Sequence, residues 1–198
     1  MNSNRIIEAI ELVRDTYLKV NMADDKVFIA YLVMMYQIIV ASEDLLEVGI
    51  EVSGDIALHA YFTKHLSEEK GHARMLGQDL AKHGVDVSGV PPYRLAVELA
   101  GSQYYYILHQ SPYALLGYLA VMEGFPMPVQ DVEELASIHG ESLTRTLMLH
   151  AKVDIIHREE LFKVINSVDD GLCCVIAANA SRTQHLLNDV ARFLNDSR

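Results

Sequence analysis

Basic residues are scarce in this sequence. Lys and Arg number 16 against 27 Asp and Glu, so the 198-residue chain carries a formal charge of −11 at pH 7 with its histidines neutral. Phosphate binding needs a basic face, and nowhere do more than two basic residues cluster, which argues against a nucleic-acid partner. Cysteine is nearly absent as well. Cys173 and Cys174 are adjacent, a spacing that suits neither a structural disulfide nor a zinc knuckle, and both are expected to be core thiols in a reducing cytoplasm. Long apolar runs are missing. The longest, Val27 to Val40, has 14 residues and is interrupted by Gln37 and two tyrosines, short of the roughly 20 that span a bilayer, so no membrane partner is expected. Met1 to Ile10 holds a single Arg and no apolar signal core. Strand-like alternation, internal repeats and low-complexity tracts are not found.

What the sequence does hold is apolar surface at helical spacing. Hydrophobic residues make up 51% of the chain, enough for one sizeable core, and a single domain over 1–198 is expected. Apolar residues recur at three and four, with Gly or Pro at the breaks. A first helix is predicted from about Ser3 to Val20, on a stripe of Ile6, Ile7, Ile10, Val13, Tyr17 and Val20. A second runs from the cap Asp24 to Ala41. Ser42 is read as capping a short helix that ends at Gly49, and Ser53 as opening a long one that closes at Gly84. After a loop over 85–92, helices follow at 92–110, 111–125, 129–138, 141–166 and 169–195. The expectation is an all-α bundle of about seven to nine helices.

Three constellations could carry chemistry. In His65-Leu-Ser-Glu68-Glu69-Lys-Gly-His72, positions 65, 69 and 72 fall within about 40° of one another on one continuous helix, with Glu68 at the edge of that stripe. A solvated face with a Glu68–His72 pair is the plainer reading. In His150-Ala-Lys-Val-Asp154-Ile-Ile-His157 the three polar residues again share one face, flanked by Leu149, Val153 and Ile156, where a polar helix edge is the alternative. Glu123 is the only charge in the apolar run from Tyr113 to Pro126. Buried there, a carboxylate costs several kcal/mol unless it is paired or coordinated; the alternative is a helix-end residue turned to water. Together, three segments supply Glu, Asp and His at helical spacing, a pattern by which bundles hold non-haem iron or manganese. Zinc would more often use cysteine or a four-ligand set, and six candidates suit two metals better than one.

These residues resemble the haem-oxygenase-like diiron oxidases and oxygenases, in the superfamily that includes TenA, PqqC and the chlamydial death-domain-associating protein. The resemblance runs from about Tyr31 to Asn188 and is most specific at His65–Leu76, Gln103–Glu123 and His150–His157. It implies a haem-oxygenase-like helical domain, two Fe(2+) per chain with Mn as the substitute, and Glu69, His72, Glu123, His150, Asp154 and His157 as ligands. Some relatives place the first glutamate seven residues before the histidine. Here that position is His65, so His65 or Glu68 is an alternative ligand. The function implied is O2 activation to oxidise a small organic substrate in a biosynthetic pathway, with no catalytic residue beyond the ligands, in a cytoplasmic homodimer. Tyr105, His109 and Tyr118 are candidates for contact with the ligands or the substrate, and His59 and His185 are read as structural. Met34 and Met35 are core fillers or cavity lining, with core the preferred reading. A haem site of the haem-oxygenase type is disfavoured, because the first histidine of any kind is His59. The competing readings are a metal-independent PqqC- or TenA-like enzyme and a non-enzymatic binding protein on the same scaffold.

Overall fold

The computed structural model describes every residue except Tyr17, Ser197 and Arg198. The predicted helix stripe at Tyr17 therefore lies outside the described residues. Among these, nine α-helices and two short 3-10 turns account for the secondary structure, with no strand: α1 (Asn2–Glu11), α2 (Asp25–Val52), α3 (Ile56–Glu69), α4 (His72–Lys82), α5 (Arg94–His109), α6 (Leu115–Met122), α7 (Val129–His139), α8 (Glu141–Ser167) and α9 (Asp170–Asp196). The helix α2 is central and packs against α3, α4 and α5, while α9 packs against α1, α5 and α6, and α8 lies against α4 and α7. By length and composition alone α2 could cross a membrane. Its side chains Val27, Phe28, Leu32, Met34 and Ile38 are instead buried among the other helices.

Several boundaries differ from the sequence expectation, each for a local reason. The helix α1 stops at Glu11 rather than Val20. Buried Asn188 on α9 donates to Val13 O at 2.7 Å and accepts from Asp15 N at 3.4 Å, taking over the backbone groups that further helix would use. The two helices predicted either side of Ser42 are one. Ser42 does not cap; its hydroxyl sits 2.9 Å from Ile38 O within α2 and 2.6 Å from the Tyr118 hydroxyl. The long helix predicted over 53–84 breaks at Lys70 and Gly71, where Gly71 adopts φ +100°, a conformation open to glycine and costly for other residues. Its true N-cap is Asp55, which accepts from Leu58 N at 2.8 Å.

Packing is close where α6 crosses α9. A Cβ on Gly117 would lie 2.2 Å from Ile176 O, so only glycine permits that approach. The run Leu115–Val121 is buried on every side, which is why it reads as apolar without a solvent face. That crossing delivers Glu123, the residue after α6, into the interior.

Candidate metal centre

Seven acidic or imidazole side chains meet between α3, α4, α8 and the end of α6. His65 and Glu69 come from α3, one turn apart. His150, Asp154 and His157 come from α8 at the i, i+4, i+7 spacing of one helical face. His72 opens α4, and Glu123 follows α6. His65, Glu69, Glu123, Asp154 and His157 are all buried, while His72 and His150 are half-buried.

The ligating atoms form two groups. One atom each from His65, Glu123 and His157 lie within 4.8 Å of one another, and so do atoms of Glu69, His72 and His150. Each trio is thus two imidazoles and one carboxylate. The ring pairs match too: His65 and His157 meet edge-on at 4.9 Å between centroids, as do His72 and His150. Glu69 ties the trios together, with Oε2 3.0 Å from His72 Nδ1 and Oε1 3.6 Å from His157 Nδ1. Asp154 does the same, 3.2 Å from His150 Nδ1 and 3.7 Å from His157 Nδ1.

Within the cluster, charges are held by one another. His65 Nε2 lies 2.9 Å from Glu123 Oε1. Burial would push the His65 proton off, but the charge and hydrogen bond of Glu123 outweigh it and raise the pKa. His150 behaves alike, burial being outweighed by Asp154. For Glu69 burial is outweighed in the other direction: the hydrogen bond from His72 and the imidazoles of His150 and His65 lower its pKa. Glu123 stays raised, because burial exceeds what His65 returns.

Four polar atoms nevertheless remain buried with no hydrogen-bond partner: Glu69 Oε1, Glu123 Oε2, His150 Nε2 and His157 Nδ1. Such groups are rarely left unpaired, because each forfeits hydration without replacement. They belong to three separate segments, Glu69 Oε1 and Glu123 Oε2 each lying 3.6 Å from His157 Nδ1, and imidazole nitrogen with carboxylate oxygen is the donor set that suits iron or manganese. The residues present therefore fit a metal pair.

A cavity of about 400 Å³ adjoins this cluster, bordered by His65, Glu69, Glu123, His150 and Asp154. Its other walls are mainly apolar, including Met35, Ile38, Ile39, Leu119, Met122 and Leu147. Tyr31 and Thr146 supply hydroxyls. Burial, followed by the charge of Asp154, pushes the Tyr31 phenol up to about 12.

No family model matches the sequence, and no curated protein matches it. Among solved structures, a domain of unknown function with a heme oxygenase-like fold from Shewanella denitrificans OS217 aligns with a TM-score of 0.71. The alignment covers 98% of this chain and 84% of that one at 20% identity. This chain has a haem-oxygenase-like fold.

In this haem-oxygenase-like bundle all six residues expected as ligands come together, and His65 joins them. The premise of one continuous helix from 65 to 72 is corrected. His72 reaches Glu69 because Gly71 turns the chain, not because they share a straight helical face. Glu68 is exposed and sits at the rim, its Oε1 3.1 Å from Lys64 Nζ and its Oε2 3.7 Å from His157 Nε2. Tyr118 is buried beside the cluster, and burial together with Glu123 and Glu69 raises its pKa. Tyr105 and His109 are corrections: both are exposed on α5, with rings 5.2 Å apart, and neither borders the cavity. Cys174, His59 and His185 are exposed rather than core or structural, whereas Cys173 is buried. Met34 is core and Met35 lines the cavity. Sequence reasoning missed Tyr61, whose ring stacks on His65 at 5.7 Å and whose hydroxyl is buried without a partner. It also missed the cavity roles of Tyr31, Thr146 and Arg14. Tyr61 lies one helical turn before His65, which was the available signal.

Proposed function

We propose that this chain is a non-haem diiron oxidase or oxygenase that uses O2 to oxidise a small organic molecule held in the cavity. The observation that carries this reading is the set of four buried polar atoms without a hydrogen-bond partner, on Glu69, Glu123, His150 and His157, within two trios of two histidines and a carboxylate. Two histidines with one carboxylate leave coordination positions open, the arrangement associated with non-haem Fe(II) that reacts with oxygen. His65, Glu123 and His157 would hold one iron, Glu69, His72 and His150 the other, and Asp154 stands between them.

When bound, the iron pair supplies the electrons and the Lewis acidity for O2 reduction. The protein supplies the remainder. Ile38, Ile39, Leu119 and Leu147 present no polar atom that would hold water beside the cluster. The Tyr31 hydroxyl, with its pKa near 12, keeps its proton at neutral pH and donates to a bound substrate. Thr146 Oγ, buried without a partner at the cavity wall, offers a second orienting contact.

Anaerobic reconstitution with Fe(II), followed by iron determination and then an oxygen-electrode trace, tests the proposal. Two irons per chain and oxygen uptake are expected, with both diminished in Asp154→Ala and His157→Ala. Iron no higher than background in the wild-type protein would sink it.

A further inference from the structure

Among the described Lys and Arg side chains only Arg14 borders the cavity, and it is exposed whereas the acid–imidazole cluster is buried or half-buried, so Arg14 stands at the solvent mouth. No carboxylate of the described residues pairs with it; its guanidinium carbon instead lies 4.8 Å from the centroid of the Phe125 ring, itself a cavity wall. The position is built rather than accidental. Asn188 grips the backbone on both sides of Arg14, at Val13 O and Asp15 N, and Gln184 Nε2 in turn donates to Asn188 Oδ1 at 3.1 Å. Asn188 and Gln184 are both buried, so the segment that carries Arg14 is clamped from within α9.

Charge sorts the cavity end to end. Its interior holds Glu69, Glu123 and Asp154, already engaged with imidazoles, and its mouth holds a guanidinium that no described carboxylate pairs with. Between them the wall is thioether and hydrocarbon, from Met35, Ile38, Leu119 and Met122. A planar guanidinium matches a carboxylate bidentately, better than a point charge would. A volume of about 400 Å³ suits a small molecule.

We propose that Arg14 determines the specificity of this cavity by selecting a small organic acid, binding its carboxylate at the mouth so that its apolar body reaches inward to the cluster. This rests on the cavity being the substrate site of the proposed oxidase. The oxidised carbon is then at the end of the molecule remote from the carboxylate.

Calorimetric titration of the full chain with 4-phenylbutanoate, 4-phenylbutan-1-ol and 4-phenylbutylamine tests the inference, in metal-free protein and in protein loaded anaerobically with Fe(II). The acid should bind about tenfold or more tighter than the alcohol or the amine, as a charge-assisted hydrogen bond allows. In Arg14→Gln that preference should shrink to within about twofold, with alcohol affinity and iron content as in the wild type; Arg14→Lys should keep part of it. Three outcomes overturn the proposal: no preference for the acid, a preference that persists in Arg14→Gln, or no binding of any of the three compounds. A preference that vanishes on iron removal rather than on Arg14 substitution also overturns it, since the carboxylate would then sit on the metals. Wild-type protein that takes up no iron yet shows the Arg14-dependent preference supports the anion site while overturning the diiron reading.

Discussion

Among the described residues, two clusters of buried polar side chains differ in whether their hydrogen bonds close. Where α5 meets α9, Asn179 Nδ2 donates to Gln103 Oε1 and to Ala114 O, both at 2.7 Å, and Gln103 Nε2 donates to Thr183 Oγ1 at 3.2 Å. Only Asn179 Oδ1 is left over. The acid–imidazole cluster leaves four such atoms, two of them on carboxylates. Neutral amides bonded to one another hold helices together. Carboxylates and imidazoles buried without hydrogen-bond partners instead cost the folded state stability. The first cluster is finished by the protein itself, and the second is not.

The widest separation between them should appear in Glu123→Gln. The amide keeps the size of the side chain and can still accept from His65, but it is a far poorer metal ligand. Iron affinity is expected to fall by more than the roughly 10–100-fold that losing an outer partner of a ligand costs. At pH 8, where the attraction between Glu123 and protonated His65 counts least, the melting temperature of metal-free protein should hold steady or rise, because a buried carboxylate has been discharged. Iron determination and thermal melts in chelator check both halves, and retained iron with a lowered melting temperature would reverse the assignment.

The opposite pattern is expected at Asn179→Leu. Gln103 Oε1 and Ala114 O lose their donor, a cost of about 1–3 kcal/mol for stranding buried acceptors. In a domain of this size each kcal/mol lowers the melting temperature by roughly 2–4 °C. Iron per chain should be unchanged. A melting temperature within error of wild type would show that this network is not holding α5 to α9.

Much of the second cluster was readable from spacing alone. His150, Asp154 and His157 lie on one unbroken helix, so periodicity placed them on one face, and Glu123 declared itself as a lone charge in a run with no solvent side. The all-α class followed from the same periodicity. What periodicity could not convey was tertiary. Gly71 breaks the helix between Glu69 and His72, and its positive φ, not a helical stripe, is what aims His72. Arg14 read as one more residue of a first helix reaching Val20, because the side chain that ends this helix is Asn188, 174 positions further along the chain. Tyr105 and His109 looked like neighbours of the metals only because the resemblance spanned their segment; no spacing argument placed them there. Ser42 looked like a cap, yet its bond to the Tyr118 hydroxyl, invisible in sequence, lets α2 run through.

The smallest expected contrast is in pH dependence, and its sign follows from the shifts. None of Asn179, Gln103 and Thr183 titrates, so the amide network is indifferent to pH near neutrality. His65 and His150 both have raised pKa values, burial being outweighed by Glu123 in one case and Asp154 in the other. The folded, metal-free protein therefore holds these protons more tightly than the unfolded chain. That contribution is fully present below the unfolded histidine value of about 6.5 and is lost as pH rises through the folded values. Glu69, whose pKa is lowered, works the other way, but its contribution is lost only as pH falls through a value below the ordinary carboxylate range, outside the interval from 6 to 8. Metal-free protein should thus melt higher at pH 6 than at pH 8, by an increment that shrinks in His65→Gln/His150→Gln and persists in Asn179→Leu. Iron should invert the slope, since ligation needs both imidazoles deprotonated and so strengthens as pH rises. Parallel slopes with and without iron would mean that these histidines do not exchange protons for metal.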